Sequence, residues 1–238
     1  MSRKRLEVIE LIEEFNLSKN TKKTIAKPKQ RSQTYSVAKH WYGRDKAMKQ
    51  ARTITPADLR KVLDYIGSRK HAARNRAMLL MTHLAGLRVG EVASLYLRDV
   101  VDADGQVRSE ILLTAEQTKG NEARTVFINE RLRKELATYI SNHNFLNPKL
   151  CKLFYTQQRH IAGFTANTLT QYFHYLYKRA GLAGCSSHSG RRSFITNLAS
   201  KGISVRVLAS LAGHKSIATT QKYIDVNDDM KRKAIELV

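Results

Sequence analysis

Six side chains in this sequence are of the types needed to attack a phosphodiester without a metal, and they stand in short, spaced groups. His188 and Arg191 form His-x-x-Arg, Gly213 precedes His214, and Tyr223 comes nine residues after His214. Upstream, Arg88 lies in Gly86-Leu87-Arg88-Val89-Gly90-Glu91 and Lys119 in Gln117-Thr118-Lys119-Gly120. Together they offer two guanidiniums, one ammonium, two imidazoles and one phenol. In phosphoryl transfer, negative charge builds on the non-bridging oxygens, so catalysis is mainly positioning and electrostatic stabilisation. A guanidinium matches two such oxygens with a planar fork, which an ammonium cannot do. An ammonium can protonate the departing alkoxide. A phenol, with an ordinary pKa of about 10, can form a phosphotyrosine once its proton is removed or shared.

Each group also has an ordinary explanation. Arg88 and Glu91 read as a local i,i+3 pair, Lys119 as a solvated turn residue, and His188 with Arg191 as a surface pair. His214 after Gly213 reads as a helix end, and Tyr223 as a core aromatic near Ile217 and Ile224. Singly these explanations win; they do not explain why all the groups occur in one chain in this order.

That order resembles the tyrosine recombinases, the phage integrases. The likeness rests on Ser187-His188-Ser189-Gly190-Arg191-Arg192-Ser193-Phe194, on Leu211 to Tyr223, and on Gly86-Leu87-Arg88 with Glu91-Val92. It runs from Thr53 to Asn227, and the ordered set is far more specific than any one part. Family members often carry a hydrophobic residue where Gly190 stands and a His where Arg192 stands, differences that bear on how the helix of Arg191 is seated. The resemblance implies a site-specific DNA recombinase with a mainly α fold and a small antiparallel β hairpin sheet. It implies that Tyr223 forms a 3′-phosphotyrosine and releases a 5′-hydroxyl, while Arg88 and Arg191 clamp the phosphate. Lys119 would protonate the leaving oxygen, His214 donate to the phosphate, His188 assist proton transfer and Glu91 orient its neighbours. No metal and no cofactor are implied, because the phosphodiester energy is kept in the covalent link.

Two other readings share parts of this pattern. A type IB topoisomerase uses the same chemistry, but the Gly213-His214 to Tyr223 spacing favours a recombinase. The stretch from Ile203 to Thr220 also reads as a helix-turn-helix, which would suit a DNA-binding regulator without chemistry. Arg88 and Lys119 argue against that regulator, which has no need of them.

Composition points the same way. The 238 residues carry 42 Lys and Arg against 20 Asp and Glu, a net charge of +22. Such an excess repels itself in a compact chain and favours a polyanionic partner, here double-stranded DNA. Cys151 and Cys185 form neither a metal-ligand spacing nor a disulfide framework. Glu7, Glu10, Glu13 and Glu14 interrupt any export signal, and no run is apolar enough for a membrane span, so the expected setting is cytoplasmic.

The elements that must position the chemistry follow from periodicity. Leu6 to Phe15 is patterned as a short helix, and residues 18–52 lack periodicity and hold Pro28, Trp41 and Tyr42. Residues 1–52 are thus expected to be a flexible basic arm, and residues 53–238 the catalytic domain with a tail helix. Thr55-Pro56-Ala57-Asp58 is a helix start, with Leu59, Val62, Leu63 and Ile66 on one face. Further helices are expected through Met78–Leu84, from Arg88, and at about 129–142, 166–180, 188–201, 204–212 and 216–223. Strands are expected at Ile111–Thr114 and Arg124–Ile128, with Lys119 in the turn between them. Only 52 residues precede the catalytic domain, which suggests a minimal recombinase of the fimbrial-invertase kind or a shortened integrase. The tail, apolar at Ala234, Ile235, Leu237 and Val238, is too short to be stable alone and must dock on its own domain or on a neighbour; the resemblance implies a neighbour, with a monomer when free and a tetramer on DNA.

Expected DNA contacts are Lys27, Lys29 and Arg31 in the arm, with Arg192 and Lys215 near the site. Residues 18–52 hold eleven Lys and Arg against one acid, Asp45. Each phosphate contact contributes about −0.9 to the slope of log K against log salt. Deleting residues 1–52 should therefore weaken DNA binding and flatten that slope by several contacts' worth. An unchanged slope, measured by fluorescence anisotropy across a salt series, would take the arm off the DNA.

Overall fold

Thr55 starts the first helix as its sequence requires. Its side chain accepts from the Asp58 N–H at 3.1 Å, and the Asp58 carboxylate accepts from the Thr55 N–H at 3.1 Å. This reciprocal cap, with Pro56 at the first helical position, opens α1 (Pro56–Gly67). Leu59, Val62, Leu63 and Ile66 are its buried face. The protein is described here by a computed structural model covering residues 50–143, 150–156, 163–224, 231–232 and 235–236.

Helix α2 (Ala72–Leu84) is the centre of the core. It is buried from Ala77 to Thr82 without interruption, so its apolar residues form no single stripe. Neighbours on several sides explain this: α1, α5 (Glu130–Ser141) and α7 (Ser189–Ala199) all pack on α2. Short helices α3 (Val89–Ser94) and α4 (Leu97–Val100) follow α2. Strands β1 (Glu110–Leu113) and β2 (Arg124–Phe127) then pair antiparallel, from Glu110 opposite Phe127 to Leu113 opposite Arg124. Ile111, Leu113 and Val126 are buried, while Leu112 and Phe127 face outward, the alternation of a half-covered hairpin. Asn129 caps α5 and Thr165 caps α6 (Ala166–Arg179), which packs on α3. Leu132, Leu136 and Tyr139 of α5 and Leu169, Phe173, Leu176 and Tyr177 of α6 join the main core.

The C-terminal part builds a second, smaller cluster. Ser204 caps α8 (Val205–Ala212), and α9 (Ile217–Gln221) packs against it. Ile195, Ala199, Leu208 and Ala212 are buried together, with Phe194, Leu198, Tyr223 and Ile224 packed on them.

The mainly helical class with one small hairpin is therefore what the sequence predicts. Helix and strand ends fall within a few residues of the expected ones, and periodicity signalled neither α4 nor the short 3-10 turn at Ala115–Gln117 between the strands. The expected arm, apart from residues 50–52, lies outside the described residues together with its Leu6–Phe15 helix, Trp41 and Tyr42, as does most of the tail.

The tightest approach between elements explains the glycine at 190. A Cβ there would lie 2.2 Å from Thr82 Oγ1 and 2.9 Å from Thr82 Cβ. Thr82 is buried, and its hydroxyl donates to the Leu79 carbonyl at 2.7 Å, so it has nowhere to go. α7 thus sits on α2 at a distance only glycine permits, one residue before Arg191. Gly190→Ala should lower unfolding stability by roughly 1–3 kcal/mol through overpacking. Adding Thr82→Ala should restore part of that loss in urea unfolding, and an unchanged midpoint in the single variant would mean that α7 shifts freely.

Candidate active site

Helix α8 ends at Gly213, whose φ of 61° lies in the left-handed region. The His214 N–H donates back to the Ala209 carbonyl at 2.9 Å and the Gly213 N–H to the Ser210 carbonyl at 2.9 Å. That leaves the carbonyls of Leu211, Ala212 and Gly213 without helical partners. Each accepts from a different arginine. Arg124 Nη1 donates to Leu211 O at 3.0 Å, Arg191 Nη2 to Ala212 O, and Arg88 Nη2 to Gly213 O at 3.2 Å. The helix end, negative in its dipole, thereby collects guanidiniums from α7, from β2 and from the start of α3.

Each arginine has a second anchor. Arg88 is the residue before α3, and its Nη1 donates to Glu91 Oε1 at 2.9 Å while its backbone N–H donates to Glu91 Oε2 at 2.7 Å. Arg124 Nη2 donates to Glu91 Oε2 at 2.8 Å. Glu91 is 1% exposed. Burial alone would raise its carboxyl, but the hydrogen bonds and charges of Arg124 and Arg88 outweigh burial and hold it below its ordinary value. Arg191 is 2% exposed, and among the described residues no carboxylate pairs with it: its Nη1 donates to the Gly86 carbonyl at 2.6 Å. Gly86 has a φ of 64° and lies against Phe194, so a Cβ there would meet the ring at 2.4 Å. Burial, then the neighbouring Arg88, presses the Arg191 guanidinium below its ordinary value.

The histidines sit in the same positive field. His214 Nδ1 is 2.8 Å from Thr220 Oγ1, and its ring stacks on Tyr223 with centroids 5.6 Å apart. Burial, then Arg191, Arg88 and Arg124, lowers it to about 4. His188, at the start of α7, is lowered by burial, then by Arg191, Lys119 and Arg88. Tyr223 is fixed by its backbone: its carbonyl accepts from the Thr196 hydroxyl at 2.9 Å and its N–H donates to Thr220 O at 2.9 Å. Its phenol lies within electrostatic reach of Arg191.

A cavity of about 440 Å³ opens between the hairpin and α8, lined by Arg88, Lys119, Arg124, His214 and Lys215. The Lys119 turn is closed by Thr118, whose hydroxyl donates to Glu122 O at 2.8 Å. Lys215 reaches across the mouth to Glu122 Oε1 at 2.7 Å, an exposed pair.

The fold therefore gathers Arg88, Glu91, Lys119, His188, Arg191, His214 and Tyr223, which the sequence predicted from separate motifs. Of the expected DNA contacts, Lys215 is exposed at the cavity mouth. Arg192 is buried instead, donating to Gln50 Oε1 with its guanidinium 5.6 Å from the Tyr223 ring centre. Lys27, Lys29 and Arg31 lie outside the described residues. Sequence reasoning missed Arg124. Its signal was strand parity, since Arg124 shares a face with buried Val126 and therefore points inward. It also missed Thr220 and Thr196, which hold His214 and Tyr223. Two helices do form across the helix-turn-helix stretch, but their turn is occupied by Gly213 and His214, facing the arginines. Among the described residues no His, Cys, Asp and Glu group could hold a metal, and no helix is long and apolar enough to cross a membrane.

Known proteins were compared next. A family model described as the phage integrase family matches residues 52–230. A tyrosine recombinase XerD of Rickettsia bellii is 32% identical over 190 residues, covering 75% of this chain and 61% of that protein. The crystal structure of a XerA recombinase matches with a TM-score of 0.62 at 25% identity, over 78% of this chain and 64% of that one. The Tn1549 transposon integrase in complex with a circular intermediate DNA matches with a TM-score of 0.60 at 21% identity, over 81% of this chain and 67% of that one, a likeness of fold. The chain spans about 61% of the length of the curated relatives it matches.

The lowered histidines have a pH consequence. A group whose folded pKa is depressed from 6.5 to about 4 binds its proton first in the unfolded chain. Stability is therefore full above pH 6.5 and falls as the pH drops toward about 4. His214→Asn should make that fall shallower in urea unfolding, and histidine NMR should show His214 still neutral below pH 6.5. Parallel falls in both proteins would remove His214 from the cause.

Proposed function

This chain belongs to the phage integrase family, and from that premise we propose that it is a site-specific DNA recombinase that breaks and rejoins strands through Tyr223. The observation that carries this reading is the arginine-bound end of α8. Arg191 is buried with carbonyls for partners and no carboxylate, and Arg88 shares the one carboxylate with Arg124. That cluster sets three guanidiniums against the single carboxylate of Glu91, and a phosphate supplies further negative charge.

In this reading residues 53–238 are the catalytic domain. The scissile phosphate lies at the cavity between the hairpin and α8, with Arg88 and Arg191 on its non-bridging oxygens. The Tyr223 oxygen bonds to phosphorus while the bond to the 5′-oxygen breaks. His188 takes the phenol proton, and Lys119 gives one to the leaving oxygen. His214, lowered by burial and the arginines, acts as the neutral ring, with Nδ1 paired to the Thr220 hydroxyl and Nε2 donating to the phosphate. Arg124 orients Glu91 and the carbonyl end of α8 and stands in the wall of the same cavity. Arg192 supports the Tyr223 ring, while Lys215 and the arm residues Lys27, Lys29 and Arg31 contact the DNA backbone. Rejoining reverses the same steps, with the free 5′-hydroxyl as nucleophile, so neither nucleotide nor metal is consumed. The working assembly is a tetramer on two DNA sites, formed from monomers in the cytoplasm.

Trapping tests these roles together. A substrate nicked beside the scissile phosphate should capture the wild type as a covalent adduct, and Tyr223→Phe should bind equally well yet form none. An adduct in that variant would move the nucleophile elsewhere. Arg191→Ala should lose on the order of 10²-fold or more in cleavage rate. Lys119→Ala should be slow on ordinary DNA but recover most of its rate when sulfur replaces the leaving 5′-oxygen, since a thiolate leaves without a proton. Equal defects on both substrates would reduce Lys119 to a phosphate contact. Trapped two-site complexes should sediment as four protomers; a dimer as the largest species would refute the assembly.

A further inference from the structure

A second cationic cavity, of about 800 Å³, lies at the other end of α2, between the end of α1 and α6. The thirteen residues of α2 separate it from the catalytic end by roughly 20 Å, at 1.5 Å per residue. Arg74 forms part of its wall and is 5% exposed. Its Nε and Nη2 donate to Asn75 Oδ1 at 3.2 and 3.1 Å, and its Nη1 to the Tyr155 carbonyl at 2.8 Å. These acceptors are all neutral. Two residues further on, Arg76 shows the usual arrangement, a two-pronged pair with Glu135 at 2.6 and 3.2 Å. Among the described residues no carboxylate pairs with Arg74, so a buried cation is left without a counter-charge, a costly state unless something supplies one.

The surroundings add charge of the same sign. Lys70, Arg69 and Arg179 also line the cavity, and among the described residues no Asp or Glu does. His71, beside it, is lowered by burial, then by Arg74, His143 and Lys70. The first turn of α2 carries no acid and no side-chain cap, so its N–H groups add to the positive field. The rest of the wall is aromatic. Arg69 lies 4.7 Å from the ring centre of Tyr65, Arg74 5.2 Å from that of Phe164 and Arg179 5.9 Å from that of Tyr175. Tyr172 completes it, its ring 6.1 Å from Phe164.

A ligand that satisfies both features has an anionic group and a flat ring. Guanidinium planes and aromatic faces both accept stacked bases, and the guanidiniums take phosphate as well. The volume falls in the range of small-molecule sites. We propose that this cavity binds a nucleotide, with Arg74 and Lys70 on its phosphate and the base between the rings of Tyr172 and Tyr175. It is separate from the catalytic cavity, so it stands whether or not Tyr223 cleaves DNA.

The test is calorimetric titration of the full chain with ADP, and with adenosine and pyrophosphate as half-ligands. ADP should bind at one site, and each half should bind roughly tenfold more weakly or worse, the factor that separates affinities by one good contact. The double variant Arg69→Glu/Arg179→Glu alters only the rim, so it keeps the fold and the cleavage rate but should lose ADP affinity by at least about tenfold. In histidine NMR, ADP should raise the titration midpoint of His71 and leave that of His214 in place. No heat up to about 1 mM ADP, the weak end of specific binding, would overturn the site. So would equal affinity in the double variant, or a shift at His214, which would put ADP in the catalytic cavity. A short single strand of DNA that displaces ADP at lower concentration than ADP itself identifies the ligand as a nucleotide of DNA. Weaker displacement, or none, identifies a free nucleotide.

Discussion

Three consecutive carbonyls at the end of α8 have no partner within their own helix, and three arginines from distant parts of the chain supply them. Arg88, Arg124 and Arg191 are brought to Gly213, Leu211 and Ala212 in this way. Without that junction the arginines would repel one another, and the loop carrying His214 would have nothing to fix it. With it, the guanidiniums are oriented before any substrate arrives, and the reorganisation that water would otherwise require is already complete. Gly213 is part of the same device. Its left-handed backbone turns the chain out of α8, and a Cβ there would lie 2.5 Å from Arg124 Cδ.

Glu91 sets how much of this charge is neutralised. Its carboxylate divides between Arg88 and Arg124, and Arg191 receives none. The three guanidiniums are therefore unequal. Two are held by an anion of the protein, and one by dipoles alone. A phosphate entering the cluster meets its strongest unneutralised charge at Arg191, which explains why this side chain needs burial and two fixed carbonyls to stay in place. Burial and the same field lower His214 to about 4, which favours the neutral ring over another cation in the cluster.

Much of this arrangement is written in local patterns. The cap at Thr55, the four-residue apolar face of α1 and the turn between the strands all follow from residue type and spacing. Arg88, His188, Arg191, His214 and Tyr223 are legible because each occupies a fixed offset within a short motif, and the likeness to the phage integrases rests on those offsets. Arg124 carries no such motif; only its strand parity marks it, and a lone inward Arg has many explanations. Arg192 shows the limit of such offsets. Its sequence neighbour Arg191 faces the site, but adjacent helical residues point about 100° apart, and Arg192 turns to Gln50 and the Tyr223 ring. The closeness of α7 to α2 was visible only as an unusual glycine, because the partner, Thr82, lies more than a hundred residues away in sequence.

The exposed contact between Glu122 and Lys215 joins the Lys119 turn to the segment after His214. Pairs of this kind are worth little in free energy, and dissolved ions screen them readily. In the proposed recombinase reading, added electrolyte would act on the hairpin and on DNA in opposite senses: screening the Glu122–Lys215 pair would release the Lys119 turn from the segment after His214, and screening the phosphates would weaken the grip on the strand.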